Sequence, residues 1–336
     1  MLSRVAESLL WMSRYVERAE NMARIIDVNF RLMLDAGVSG NHTAAWEPLV
    51  DLAPQTRMQF DEIYPEITPD TVMQFMTFDA RNPNSIATAL RNARKNAQGI
   101  RESISREMWE QINSMYLQLT GSGAFASWEA DPYEFYRQVQ FGSLQFQGTT
   151  DATMTRDDGW HFIQLGKCLE RADSVTRILD IKYRLLVSPM GGDSVDAVQW
   201  IAVLKSCSAY EAFRRSQDSA RIESRGVARF LLLNPAFPRS VMFCIDEAWN
   251  ALKEIAGNQS RRSDSAADRS LGLLRAQLEF ANIDDVLADM HGFLDGVQQQ
   301  INRVGDNVHR LYLYGQLRPA FSNLAAQAAQ AAVDQQ

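Results

Sequence analysis

The chain has 336 residues and a net charge of −7, from 34 basic and 41 acidic side chains. Its 46% hydrophobic and 22% charged content is ordinary for a soluble globular protein and is enough for a sizeable core. The negative charge argues against a general nucleic-acid-binding surface, which needs clustered positive charge.

The first predicted element is one long amphipathic helix over residues 3–35. Its apolar residues recur at the three- and four-residue spacing of a helix, and it ends near Gly37. Prolines then break the chain into short helical pieces, at Pro48, Pro54, Pro65 and Pro69. A second long helical pattern runs over residues 85–119, and glycines follow it directly.

The first half ends with a predicted helix over residues 133–146. Thr155, followed three residues later by Asp158, has the pattern of a capping box and opens another long helix that continues through Leu186. The helical pieces of the first half then recur in order. The period-two alternation of a half-buried strand does not occur over any length. The sequence therefore predicts an all-α protein.

The two long helices carry the same sequence pattern. The segments are ERAENMARIIDVNFRLM over residues 17–33 and ERADSVTRILDIKYRLL over residues 170–186. They share eight of 17 positions, where ordinary composition would give roughly one. The match continues outside these segments with nearly constant spacing, for example at Trp46 and Trp200. We therefore predict an internally duplicated helical bundle.

The duplication also predicts the domain organisation. The first α-helical repeat is expected over residues 1–150, and the second, packed on the first as one unit, over residues 151–318. Residues 319–336 are mostly alanine and glutamine, and we expect them to form a flexible tail because little in them can anchor to a core. The two long helices would then be related by a pseudo-two-fold axis.

The sequence favours the cytoplasm and no membrane contact. Its three cysteines lack a CxxC arrangement, which argues against a disulfide framework or a zinc site. Charged residues within the first helical pattern are incompatible with a signal peptide. No segment approaches the roughly 20 apolar residues of a membrane span.

Charged side chains form a ridge on each long helix. At ~100° per residue, the ridge of the first helix spans about 80°. The residues of the first ridge are Glu17, Glu20, Arg24, Asp27 and Arg31, and those of the second are Glu170, Asp173, Arg177, Asp180 and Arg184. In both copies an arginine, Arg18 or Arg171, follows the first glutamate.

The ridges have two interpretations. Each could be a solvated face, in which opposite charges three or four residues apart support the helix weakly. Alternatively, the two helices approach each other and bring both ridges into one shared polar cleft. Arginines there would bind carboxylates, and acids would bind ammonium groups. On this second interpretation the ten ridge residues, together with Arg18 and Arg171, are candidate ligand-binding residues.

Metal binding and acid-base catalysis are alternatives that the residues support less well. Di-metal carboxylate centres usually carry Glu-x-x-His, whereas Glu17 is followed by Glu20 and Glu170 by Asp173 at that spacing. We therefore predict no metal and no other cofactor. Neighbouring arginines favour the ionised carboxylate and oppose the raised pKa of a general acid. Whether the protein is an enzyme stays open at this point.

Four segments of the chain resemble the bacterial alpha-E family of helical proteins: SLLWMSRYVERAENMAR, REMWEQIN, TMTRDDGWHFIQLGKCLERAD and FLLLNPAFPRSV. The resemblance implies a cytoplasmic partner of circularly permuted ATP-grasp ligases, often encoded alongside transglutaminase-like peptidases, in systems proposed to make or modify peptides. The resemblance also implies that the glutamate-bearing motifs of the family correspond to two sets of residues in this chain. These are Glu17, Arg18 and Glu20, and Glu170, Arg171 and Asp173.

We therefore expect a component of an ATP-grasp-associated peptide synthesis or modification system. Its polar cleft would hold a peptide, an amino acid or a segment of the partner. One alternative is an enzyme that uses the clustered carboxylates, with or without a metal, in amide or peptide chemistry. The other is a helical scaffold without a ligand site.

Overall fold

The computed structural model describes residues 1–36, 42–51, 54–186, 193–216, 222–257 and 265–314. Within these ranges the chain forms 16 α-helices and no strand, which confirms the predicted all-α class. The tail predicted over residues 319–336 lies outside the described residues.

The helices follow one another with short connections. The first eight are α1 (Ser3–Ala36), α2 (His42–Val50), α3 (Pro54–Ile63), α4 (Pro69–Thr77), α5 (Ile86–Gly99), α6 (Arg106–Thr120), α7 (Ala124–Ala130) and α8 (Pro132–Thr153). The next eight are α9 (Asp158–Leu186), α10 (Asp193–Ser206), α11 (Tyr210–Ser216), α12 (Ser224–Leu233), α13 (Val241–Ala256), α14 (Ala266–Glu279), α15 (Ile283–Ala288) and α16 (Met290–Val308). A 3-10 turn (Arg101–Ser103) separates α5 from α6, and a π-helical turn (His309–Tyr314) follows α16.

The two long charged helices, α1 and α9, have nearly the predicted bounds. The prediction of a single helix over residues 85–119 is wrong, because a new helix begins within that range. The hydroxyl of Ser105 accepts a hydrogen bond from the backbone N–H of Met108 at 3.2 Å and caps α6. The chain therefore turns between α5 and α6, although its apolar pattern continues.

The start of α9 is capped by Asp157 and not at the predicted Thr155. The Asp157 carboxylate accepts from the backbone N–H of Gly159 at 2.9 Å. The helix predicted over residues 133–146 continues to Thr153. Such shifts are expected, since the ends of helices are set by local hydrogen bonds that apolar spacing does not record.

α1 and α9 lie at the centre of the bundle. α1 packs on α5, α8 and α9, and α9 also packs on α13 and α16. One apolar cluster continues through both halves of the chain. Its fully or nearly fully buried members on the central helices include Leu9, Met12, Val16 and Ile26 of α1 and Leu165, Leu169 and Leu179 of α9.

The order of helix contacts in the first half recurs in the second. α1 packs on α5, α5 on α6, α6 on α8 and α8 on α1. In the same way, α9 packs on α13, α13 on α14, α14 on α16 and α16 on α9. Equivalent caps begin α5 and α13, where the hydroxyls of Ser85 and Ser240 accept backbone N–H groups three residues ahead. The internal duplication stays a prediction, which this shared arrangement supports.

α1 and α9 run parallel and in register. Gly166 of α9 lies against Leu10 and Ser13 of α1, and the Asn21 amide donates to the Ser174 hydroxyl at 3.0 Å. The contacts advance towards the C-terminus on both helices, so the helices point the same way. A Cβ at position 166 would lie 2.4 Å from the Leu10 carbonyl oxygen. The glycine therefore permits the close approach of the two backbones.

Replacing Gly166 by alanine is expected to lower the free energy of unfolding by about 1–3 kcal/mol, because the added methyl group forces α1 and α9 apart. Chemical denaturation measures the change. Gly148 of α8 is a matched control, since a Cβ there meets open space. Gly148→Ala is expected to stabilise the helix by up to ~1 kcal/mol. Equal effects of both substitutions would contradict the tight contact at Gly166.

Candidate functional site

Each long helix carries a glutamate followed directly by an arginine, Glu17-Arg18 on α1 and Glu170-Arg171 on α9. These two Glu-Arg steps pair with each other across the contact between the helices. Arg171 donates to Glu17 from Nε and Nη2, both at 2.8 Å. In the reverse direction Arg18 donates to Glu170, at 2.5 Å from Nε and 3.0 Å from Nη2. The side chains of Glu17 and Glu170 are only 1% and 4% exposed. A buried and reciprocal pair of salt bridges therefore joins the two helices here.

Arg239 extends this network from the loop before α13. Its Nη1 donates to Glu17 at 3.1 Å, and its Nη2 donates to Glu20. Glu20 also accepts from Arg24 at 2.7 Å. The charge pattern of the two long helices gave no indication of Arg239, which lies outside both. The repeat could not identify it as a site residue, because the matching position of the first half is the uncharged Asn84.

Burial and ion pairing oppose each other at the two central carboxylates. Burial alone would raise the pKa of Glu170, but the charges of Arg18 and Arg14 outweigh it and lower the pKa to about 2. At Glu17, burial likewise raises the pKa, but the charge of Arg171 lowers it, and the net shift is downward. Both groups therefore stay ionised at neutral pH. A general acid needs the opposite shift, so these carboxylates suit charge pairing better than proton transfer.

Further along each ridge, the pairs lie within one helix. Arg31 donates to Asp27 at 3.0 Å on α1, and Arg177 donates to Asp173 at 2.7 Å on α9. These are the four-residue pairs that the solvated-face interpretation predicts. The Arg31 side chain is 48% exposed, which fits that interpretation. The ridges are thus buried at one end and partly solvated at the other.

The last positions of the second ridge have different surroundings from those of the first. Asp180 lies against His291 of α16, with 2.7 Å between Oδ1 and Nδ1, whereas the matching Asp27 pairs with Arg31. The side chain of Arg184 lies outside the described part of the chain.

The described residues do not form the single shared cleft that the ridges predicted. At Gly166 and at the Glu-Arg pairs, α1 and α9 contact each other directly and leave no space for a ligand. Five other ridge residues border two separate spaces instead. We call these the large cleft, between α1, α8, α10 and α11, and the small cavity, between α1, α9, α3 and α16.

The large cleft has a volume of about 720 Å³, within the range of ligand sites. It has a charged and an apolar part. The charged side chains that line it are Arg24, Asp27, Arg31, Lys205 and Glu211. The apolar ones are Val28, Leu32, Val198, Ile201 and Ala202. It can therefore contact both the charges and the apolar groups of a ligand.

Two polar groups at the large cleft lack a hydrogen-bond partner among the described residues. The Oε1 of Gln140 accepts from Arg24 at 3.2 Å, and its buried Nε2 has no acceptor. The buried Oγ of Ser208 also has no partner, and its backbone has a left-handed φ of 51°. Unpaired buried groups and strained backbone are uncommon and cluster at functional sites. The ridge pattern missed both residues because neither carries a charge.

The small cavity has a volume of about 180 Å³. Its charged lining residues come from both long helices and are Arg14, Arg18, Glu170, Asp173 and Arg177. Polar residues of neighbouring elements complete it, among them Thr56 and Asn84. Arg18, Glu170, Asp173 and Arg177 were predicted site residues, and Arg14 was not, because it precedes the repeated segment.

Other reactive groups are few in the described ranges. Cys168, Cys207 and Cys244 are buried, and burial raises the pKa of each thiol, to about 12 for Cys207. Thiols of this kind are poor nucleophiles. No described cluster of three histidine, cysteine, aspartate or glutamate side chains could hold a metal ion. No described helix has the length and apolar character needed to cross a membrane.

Comparison with known proteins identifies relatives over most of the chain. It is 23% identical over 338 residues to the uncharacterized protein Rv2567 of Mycobacterium tuberculosis, and equally to the uncharacterized protein Mb2597 of Mycobacterium bovis. The match covers 94% of this chain but 38% of each relative. No solved structure matches. A sequence model of the Alpha-E family, described as a predicted alpha-helical domain with a conserved ER motif, matches residues 1–313. The chain therefore belongs to the Alpha-E family.

Proposed function

We propose that this protein is a binding component of an ATP-grasp-associated peptide synthesis or peptide modification system, and that it holds a peptide or a segment of its partner in the large cleft. One observation carries the proposal. Charged groups of both signs, an apolar wall and two residues that each have an unpaired buried polar atom line the same space of about 720 Å³. Peptides offer matching groups of all three kinds.

The cations of the large cleft differ in how far they are already neutralised. Arg24 and Arg31 are held by Glu20 and Asp27. Lys205 lies 5.9 Å from the ring centre of Tyr210, and no acid in the described ranges pairs with it. Its ammonium group is therefore available for a carboxylate.

Two acids line the large cleft. Asp27 pairs with Arg31, and Glu211 is a candidate acceptor for an ammonium group. After a rotation of their side chains towards the cleft, Gln140 can donate to a peptide carbonyl and Ser208 can donate or accept. We infer that a short zwitterionic peptide is the best match. A single amino acid leaves most of the volume unfilled.

The partner in this proposal is a circularly permuted ATP-grasp ligase, with a transglutaminase-like peptidase as a further partner. Family resemblance supports this assignment. The mycobacterial relatives are also more than twice as long as the matched region, which leaves room for fused components in one chain. Co-expression of the full chain with an ATP-grasp protein encoded beside it, followed by size-exclusion chromatography, tests the complex. Separate elution of the two proteins would contradict the partner assignment.

Peptide binding is tested by titration calorimetry with trialanine and with N-acetyl-trialanine amide, which lacks both terminal charges. Trialanine is expected to bind at least about tenfold more tightly, since charged contacts contribute more than about 1.4 kcal/mol. Lys205→Gln and Ser208→Gly should each weaken trialanine binding by about fivefold or more. Glycine adopts a φ of 51° without strain, so Ser208→Gly should not harm folding.

Lys95→Gln is the matched control, because Lys95 is an exposed lysine on α5 that does not line the cleft. It should bind trialanine as tightly as the unmodified protein. Equal affinity for both peptides would contradict recognition of the terminal charges. Failure to bind either peptide, together with separate elution from the ATP-grasp protein, would leave the scaffold alternative.

A further inference from the structure

The small cavity holds more positive than negative charge. Arg177 and Asp173 pair with each other within α9. The single carboxylate of Glu170, however, accepts from both Arg14 and Arg18, at 2.8 Å and 2.5 Å from their Nε atoms. Two guanidinium groups therefore share one acid, and one positive charge stays without a counter-charge from these residues.

This surplus charge lies largely away from water. The side chains of Arg14 and Arg18 are 13% and 22% exposed. Burial lowers the pKa of Arg18, but Glu170 outweighs it and raises the pKa, so the guanidinium group stays charged. A buried charge is costly unless a counter-ion or hydrogen bonds compensate it. An anion in the cavity would supply both.

Both arginines line the small cavity, and each has donors that Glu170 does not use. Arg14 uses only Nε towards Glu170, and its two terminal nitrogens have no hydrogen-bond partner within the described ranges. The Nη1 of Arg18 has one long contact, 3.4 Å to Asn84. Thr56 also lines the cavity, and its hydroxyl has no hydrogen-bond partner within the described ranges. These groups can all donate to oxygen atoms.

We propose that the small cavity binds a small oxyanion, a carboxylate or phosphate group, between Arg14 and Arg18. Guanidinium forks match the oxygen spacing of both groups. The volume of about 180 Å³ corresponds to roughly six waters at ~30 Å³ each, which suits a small ion or the charged end of a metabolite. The site lies apart from the large cleft, so its test does not depend on the proposed peptide binding.

The test measures the thermal midpoint and the titration heat of the full chain with sodium phosphate, sodium acetate and sodium chloride at equal ionic strength. Phosphate or acetate is expected to raise the midpoint in a saturable manner, and chloride is not. Comparing phosphate with acetate distinguishes the two oxyanions. If neither phosphate nor acetate raises the thermal midpoint more than chloride does, the proposal is overturned.

Arg14→Met removes the surplus charge while Glu170 keeps its two-pronged contact with Arg18. We expect oxyanion affinity to fall at least about tenfold. Arg4→Met is the control, since Arg4 is an exposed arginine on the same helix. Thr56→Val leaves all charges in place and should weaken binding about threefold or more, which keeps the test valid if Arg14→Met folds poorly. Unchanged affinity in both Arg14→Met and Thr56→Val would exclude this site.

Discussion

Replacing Glu17 by glutamine is expected to lower the free energy of unfolding by about 3–5 kcal/mol, the usual cost of breaking a buried ion pair from one side. Glutamine has nearly the same shape but no charge. Arg171 would lose its two-pronged partner at 2.8 Å, and Arg239 would keep Glu20 as its one carboxylate partner, beside the Asn21 amide oxygen at 3.3 Å. Both guanidinium groups are at most 9% exposed, so water cannot replace the lost carboxylate. Urea denaturation at neutral pH measures the loss.

Two further variants test the reason for this loss. Glu110→Gln removes one partner of the exposed pair with Arg106, and its expected cost is below about 1 kcal/mol. The double substitution Glu17→Leu with Arg171→Met should recover much of the stability, because an apolar pair often replaces a buried ion pair at little cost. A loss below about 1 kcal/mol in Glu17→Gln itself would mean that the reciprocal pairs do not stabilise the contact between α1 and α9.

The central part of the fold could be predicted because its signals are local. The apolar spacing and the repeated segment fixed the bounds of α1 and α9 to within a few residues. The opposite signs along each ridge also predicted that carboxylates and arginines would meet. Salt bridges from Arg171 to Glu17 and from Arg18 to Glu170 do join the two helices.

The shape of the site could not be predicted, because it depends on how closely the helices approach. That distance is set at Gly166, a single residue without a side chain, and nothing in the charge pattern records it. The close approach leaves no single cleft for both ridges, and the ridge residues that border a space are divided between two cavities. Arg239, Gln140 and Ser208 come from other elements, and only the tertiary fold brings them to these spaces. The break at Ser105 was missed because a capping hydroxyl does not interrupt the apolar pattern.

Acid is expected to destabilise the protein as the pH falls from about 4.5 to about 2, because the buried carboxylates must then accept protons. The pKa of Glu170 is lowered from 4.5 to about 2 in the folded chain. The unfolded chain therefore binds this proton more readily than the folded one. The stabilisation is complete above the unfolded pKa and is lost as the pH falls through the folded pKa. For Glu170 alone it amounts to about 3 kcal/mol at 1.36 kcal/mol per pH unit, and Glu17 acts in the same direction.

Urea denaturation near pH 7, pH 4 and pH 3 measures this dependence. Glu170→Gln cannot take up the proton, so it should be the less stable protein near pH 7, and its difference from the unmodified chain should shrink as the pH falls. Glu110→Gln is the control and should follow the unmodified chain throughout, because its carboxyl belongs to an exposed pair. If the unmodified chain and Glu170→Gln lost stability in parallel, protonation of Glu170 would not be the cause, and the acid sensitivity would have to come from other carboxyls.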